Sequence, residues 1–527
     1  MIKTDLVLPY GYSEAAVKEA ISMRLPIAVN EIKEIRILKR ELIVSDGKPP
    51  VYKSTVAFRT SLEKEEGLLK IRNKVMRADE EEFTVKASSF ATRPVVAGAG
   101  PAGLFAALML AMSGARPIVI ERGLDVEKRA AKISLFNTLG ILDTECNVQF
   151  GEGGAGTYSD GKLKTGARDK YKRFVLNTFI EGGADESIAY SASAHLGTDK
   201  LPGIVKAIRN KIISLGGEFI FCARLTDFDT KDGKLTSVSY EKSGESVTLA
   251  TDTLILAIGH SARDTIKAFK EKGMVMRAKG FGIGMRIEHP REYINKIVYR
   301  ESSEVIRETA SYHLVTHLPT GRSVYSFCMC PGGEVVAATS EEGAIVTNGM
   351  SEYMRMADNS NAAILVSVTP DDFGSDDVLA GIELQRKIEG AAYRVTGSYK
   401  APSIRLADLI SGNADSGIRG VVPSYPIGTE TVNPSEYMPD FIPESIKAAM
   451  PDFDSWIHGY LFGDATLTGP ETRTTSPLRI ERDESGCAIG FDGIYPSGEG
   501  AGYAGGIVSS ATDGMRMAEK AIEKHLK

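Results

Sequence analysis

The chain is poor in the residues that build cross-links and metal centres. Five of its 527 residues are cysteine and seven are histidine. Five cysteines without framework spacing exclude a disulfide-stapled scaffold and fit a reducing compartment. His313 and His317 have a metal-like spacing, but on an extended strand they would lie roughly 13 Å apart, so no metal is expected. Positive charge is not in excess: 63 Lys and Arg face 69 Asp and Glu, for a net charge of −6. That balance gives no electrostatic reason to expect nucleic acid or an anionic membrane surface. A signal-peptide core is missing as well, because MIKTDLVLPYGYSE carries Asp5 and breaks at Pro9. The long apolar run Val95–Ile120 is interrupted by glycines, Pro101 and Arg116–Pro117, and reads as a buried βαβ unit rather than a membrane span. The cytoplasm is the expected location.

What is present is glycine, 53 residues gathered into a few loops. Thr92–Gly123 reads strand, glycine turn, apolar helix, strand, acid. Gly98, Gly100 and Gly103 have the G-x-G-x-x-G spacing, for a tight turn, close approach of a pyrophosphate and close helix–sheet packing. Pro101 and Ala102 start the helix. Glu121 ends the second strand, where a carboxylate accepts from ribose hydroxyls, and Arg122 follows it. Arg129, on the next helix, faces either a phosphate or solvent.

Gly156–Lys162 spells G-x-x-x-x-G-K and raises a triphosphate loop. The reading fails at Leu163, where a hydroxyl should hold magnesium, and at Asp160, which puts negative charge in the cradle. Gly153, Gly154, Ala155 and Gly156 then belong to a loop of backbone N–H groups suited to a pyrophosphate, or to a loop that needs glycine for its turns. LILAIG is a buried strand delivering Gly259 at its carboxyl end. Near the end, Gly498, Glu499 and Gly500 precede a long helix that begins about Gly505, Gly506 and Ile507. A dinucleotide held at both ends of the chain is the arrangement expected for FAD.

Four parts are expected: an N-terminal α+β unit at 1–88, ferredoxin-like in its β-α-β-β-α order and leaving through an acidic linker; a nucleotide-binding part at 89–278; an inserted substrate domain at 279–463; and the returning nucleotide part at 464–527. GAGPAG with ERG, FGEGGAGTYSDGKL, FGIGMRIEHP, FCMCPGGEVV, GPETRTTSPLRI and YPSGEGAGYAGGI, in this order, resemble a group of predicted bacterial FAD-dependent dehydrogenases of the glutathione-reductase-like flavoprotein class. The resemblance covers about residues 90 to 527. It implies an α/β fold in which a discontinuous Rossmann-like FAD domain carries an inserted α+β domain. It also implies non-covalent FAD and oxidoreductase chemistry on a small-molecule substrate. In many relatives of that class the acid before the final helix is Asp, one methylene shorter than Glu499.

Only one dinucleotide fingerprint is visible, so NAD(P)H would serve as a transient reductant without its own Rossmann domain. A flavin monooxygenase and a non-catalytic FAD protein or RNA-modification partner are the alternatives. Glu499 is expected on a ribityl hydroxyl, and the N–H groups of Gly505, Gly506 and Ile507 on the flavin. Glu471 and Arg473, then Arg286 and His289, are the candidate catalytic residues, each equally readable as an ion-pair or turn residue. Cys328 and Cys330 invite a flavin–dithiol mechanism. On a regular strand their Cα atoms would be roughly 6.6 Å apart, a strained bridge unless PGG bends the chain, and small core cysteines are the alternative.

Overall fold

The computed structural model describes residues 1–71, 73–78, 83–163, 170–413, 417 and 420–526. The first acids of the expected linker, residues 79–82, lie outside them.

Three short strands that are apolar on both faces, Val95–Ala97, Ile118–Glu121 and Leu254–Leu256, form the middle of a five-stranded parallel sheet. Burial on both faces is what a parallel sheet under helices requires. Glu218–Phe221 closes one edge and Ile494–Pro496 the other, so residues close to the end of the chain complete a sheet begun near residue 95. Two helices lie together over this sheet, Pro101–Met112 and Ile507–Lys524. Their backbones nearly touch: a Cβ on Gly514 would sit 2.0 Å from the Ala102 carbonyl oxygen.

The inserted part is a seven-stranded sheet with Asn359–Val368, Phe281–Pro290 and Thr466–Glu471 at its centre. Thr466–Glu471 corrects the expected boundary at residue 464. It pairs antiparallel with Phe281–Pro290 and Ala401–Arg405, so the chain completes the inserted sheet before returning to the nucleotide sheet. The helices Ala380–Thr396 and Phe441–Trp456 pack on it.

In the N-terminal unit the strands run Ile35–Ser45, Lys48–Phe58, Ile2–Pro9, Met76–Arg77, all antiparallel, with helices Glu14–Arg24 and Leu62–Leu69. This is the βαββαβ order of a ferredoxin-like layer. Ser13 caps the first helix, accepting from the Ala16 N–H at 3.3 Å. The unit is tied to the inserted domain by Tyr10 and Tyr52, whose hydroxyls both donate to Glu308. Among the described residues no helix is long and apolar enough to cross a membrane.

Candidate functional site

The parallel strands deliver their loops to one cavity of about 380 Å³. Gly98 turns at φ +99, and a Cβ there would lie 2.3 Å from the Ala257 carbonyl oxygen on the next strand. Gly103 lets the helix settle on that turn, since its Cβ would fall 1.8 Å from the Gly98 carbonyl oxygen. Gly100 faces Gly154, whose Cβ, at φ +62, would stand 3.0 Å from the Gly100 Cα. Two backbones therefore meet with no side chain between them at the cavity wall, the Gly154 N–H being donated to the Gly151 carbonyl at 2.9 Å. A backbone cradle of this kind suits a pyrophosphate.

Gly98, Gly100, Pro101, Ala102, Glu121 and Arg122 line this end, joined by Gly154, Ala155, Gly156 and Gly259. Glu499, Gly500, Gly505, Gly506 and Ile507 line the same cavity from the far end of the sequence. Glu121 is held in place by three backbone N–H groups, accepting from Ala99 at 2.8 Å and from Gly123 and Gly151 at 2.9 Å. A carboxylate offers about four acceptor sites, so one is left for a hydroxyl. Arg122 is clamped by Glu145 and Asp264 and stacks 4.0 Å over Phe150.

Three residues expected at the cofactor stand behind the wall instead. Arg129 faces neither phosphate nor solvent. It is fully buried and donates to the carbonyls of Asn147, Val148, Gly151, Glu152 and Gly154. It shapes the glycine loop from within, and burial lowers its pKa. Gly153 packs on Thr157 while its N–H donates to the Ala99 carbonyl at 2.8 Å. Gly498, at φ +75, abuts Ala102, while Gly103, off the cavity, makes the close helix packing expected of it.

The candidate catalytic residues divide in the same way. Glu471 and Arg473 line the cavity. Arg286 does not: it lies behind Glu471, gripping that carboxylate with Nε and NH2 and donating to the Cys328 carbonyl at 2.8 Å. His289 is no part of the site. It is buried among Tyr293, Tyr460 and Phe462, bonded to the Tyr460 carbonyl at 3.0 Å, and burial pushes its pKa down to about 4. Arg473 is held by Glu389 at 2.8 and 3.0 Å and donates to Ser261 and Ser340. Glu389 also grips Arg263 at 2.9 Å through both oxygens.

His260 was not singled out by the sequence, although it directly follows Gly259 at the strand end, where ligand-facing loops begin. It lines the cavity at 9% exposure, its Nδ1 is 3.6 Å from Glu499 Oε1, and its Nε2 is buried without a partner. Burial, then Arg473 and Arg263, lowers its pKa to about 3, so the ring is neutral and the contact is not an ion pair. Burial pushes Glu499 up to about 7, with Lys279 pulling the other way and Cys328 adding to the rise. A neutral ring with an orphaned nitrogen beside a half-ionised acid suits a polar ligand that both donates and accepts. Among the described residues no three His, Cys, Asp or Glu are placed to hold a metal.

Residues 280–474 match the family described as FAD-dependent protein, C-terminal domain-like. Over 515 residues, 96% of each chain, the protein is 43% identical to an uncharacterized protein of Clostridium beijerinckii. Among solved structures it overlaps a geranylgeranyl bacteriochlorophyll reductase-like protein of Thermoplasma acidophilum over 82% of this chain and 79% of that one, at 13% identity and a TM-score of 0.38. A flavin-dependent brominase overlaps over 82% and 78%, at 11% identity and a TM-score of 0.38. Likeness this distant carries no argument about reaction or substrate.

Proposed function

The chain belongs to the family of its Clostridium beijerinckii relative, with a match to an FAD-dependent C-terminal domain at residues 280–474, and on that premise we propose that it is an FAD-dependent oxidoreductase passing hydride between cofactor and a small organic substrate. The observation that carries the reading is the single cavity bordered by the Gly98–Gly103 turn, Glu121 and the start of the final helix. When bound, FAD supplies the two-electron chemistry, which belongs to its ring.

The residues of the chain bind and orient. Gly100 would present its backbone N–H to the pyrophosphate, with Gly154 leaving room beside it. Glu121 would take a ribose hydroxyl on its remaining acceptor site, and Glu499 a ribityl hydroxyl. The N-terminus of the helix at Ile507 would face the ring, stabilising negative charge there by about 0.3–2 kcal/mol. Glu471 and Arg473, on the inserted side of the cavity, are the groups available to a substrate. NAD(P)H would reach the ring as a passing reductant.

The test is flavin content. Wild-type protein is expected to purify yellow or to take up FAD stoichiometrically, and to bleach anaerobically with a nicotinamide or a substrate. Gly100→Val, which fills the gap facing Gly154, and Glu499→Ala are expected to be largely colourless. Two fully loaded variants would overturn the assigned cofactor path.

A further inference from the structure

Resting on the FAD reading above, we propose that Cys328 and Cys330 are a redox pair that closes to a disulfide by passing two electrons to the bound flavin. The strand Ser323–Cys330 does not keep the regular alternation that would hold the two thiols apart. Phe327 pairs with Ala363 and Cys330 with Asn361, so three steps on one strand oppose two on the other. The extra residue is a bulge, and within it Cys328 takes φ +40, a left-handed conformation rare for a residue with a side chain. The distortion folds the Cys330 side chain back toward Cys328, so that Cys330 Sγ lies 3.1 Å from the Cys328 carbonyl oxygen.

The pair is unequal. Cys328 lines the cavity, whereas Cys330 is fully buried. Two cations attend them. Lys162 reaches the neighbouring Met329 carbonyl, and Arg286 donates to the Cys328 carbonyl with its NH1 3.8 Å from Cys330 Sγ. The neighbouring Cys330 thiol, then Lys162 and Arg286, lower the pKa of the Cys328 thiol against the cost of its burial. Burial and Cys328 itself raise that of Cys330. A thiolate beside a thiol is the asymmetry that exchange requires. Position supplies the rest: Cys328 shares the cavity with Glu499 and is near enough to raise that acid's pKa.

The step balances. One S–S bond forms between the Cys328 thiolate and Cys330, one S–H bond breaks, and that proton with two electrons appears on the isoalloxazine as its reduced anion. The reverse reaction reopens the bridge.

Alkylation of the flavin-loaded protein after denaturation, read by intact mass and peptide mapping, tests this without any turnover assay. The chain has five cysteines, all free in the structure. The oxidised, FAD-loaded protein is expected to alkylate at three, with a bridge mapped to Cys328–Cys330, and the dithionite-reduced protein at five. Anaerobic titration is expected to consume four electrons per flavin in wild type and two in Cys330→Ser. Five alkylated cysteines in the oxidised loaded protein, or a bridge mapped elsewhere, overturn the proposal while leaving the FAD reading intact. A chain that takes up no flavin overturns both.

Discussion

Glu499 shows how much one carboxyl can say about a cavity. Its folded pKa of about 7 lies above the ordinary 4.5 because burial disfavours the charge. A raised carboxyl contributes stability that is whole below pH 4.5 and lost as pH rises toward 7. The shift corresponds to about 3 kcal/mol at most, and the 28% exposure of the side chain brings the expectation to about 1–3 kcal/mol. Urea melts of cofactor-free wild type and Glu499→Gln should therefore diverge across that window, with wild type losing ground as pH rises. Parallel pH profiles would mean that the carboxyl is solvated. The acid was legible in the sequence because it sits between two glycines ahead of a helix. Arg129, expected to face a phosphate or solvent, faces neither. Its partners are five carbonyls of a loop whose path no local pattern describes.

Among the elements, the fingerprint strand–turn–helix was readable because its signals are local: spacing, apolar faces and Pro101 at the first helical position. The long-range job of Gly514 was not. Gly514→Ala is expected to force the final helix off Pro101–Met112, costing about 1–3 kcal/mol or more in chemical denaturation. Gly505→Ala meets nothing within 4 Å. It should leave stability within about 0.5 kcal/mol while weakening FAD uptake, because its methyl enters the cavity. Equal stability loss in both variants would erase the distinction between a packing glycine and a lining one. Thr466–Glu471 was assigned to the wrong part because a strand's partners depend on the whole sheet. The same limit hid the bulge at Cys328, since FCMC reads as regular alternation until Asn361 and Ala363 are set beside it.

At the scale of the molecule, the nucleotide part and the inserted part are joined by a buried cluster. Glu389, on the inserted helix Ala380–Thr396, holds Arg263 from one side and Arg473 from the other. Burial opposes its charge, yet the two guanidiniums win and keep its pKa far below the usual carboxylate range. A depressed acid contributes stability above its unfolded pKa, and this share is lost as pH falls below about 4.5. Glu389→Gln takes from two buried cations the carboxylate they share, leaving Arg263 only Glu341 at 2.8 Å as a carboxylate partner, and is expected to cost about 3–5 kcal/mol, measured by urea midpoint at pH 7. A loss under about 1 kcal/mol would show that the two parts do not depend on this joint. No sequence window contains the three residues together, which is why the cluster went unread.

The split sheet has a bearing on how the protein is made. One rim of the cradle, at Gly98–Glu121, is synthesised well before the other, at Glu499–Ile507, so a half-finished chain on the ribosome carries only part of the cavity wall. FAD uptake is therefore expected only once the edge strand Ile494–Pro496 and the helix behind it have joined the sheet, where they act as its clasp.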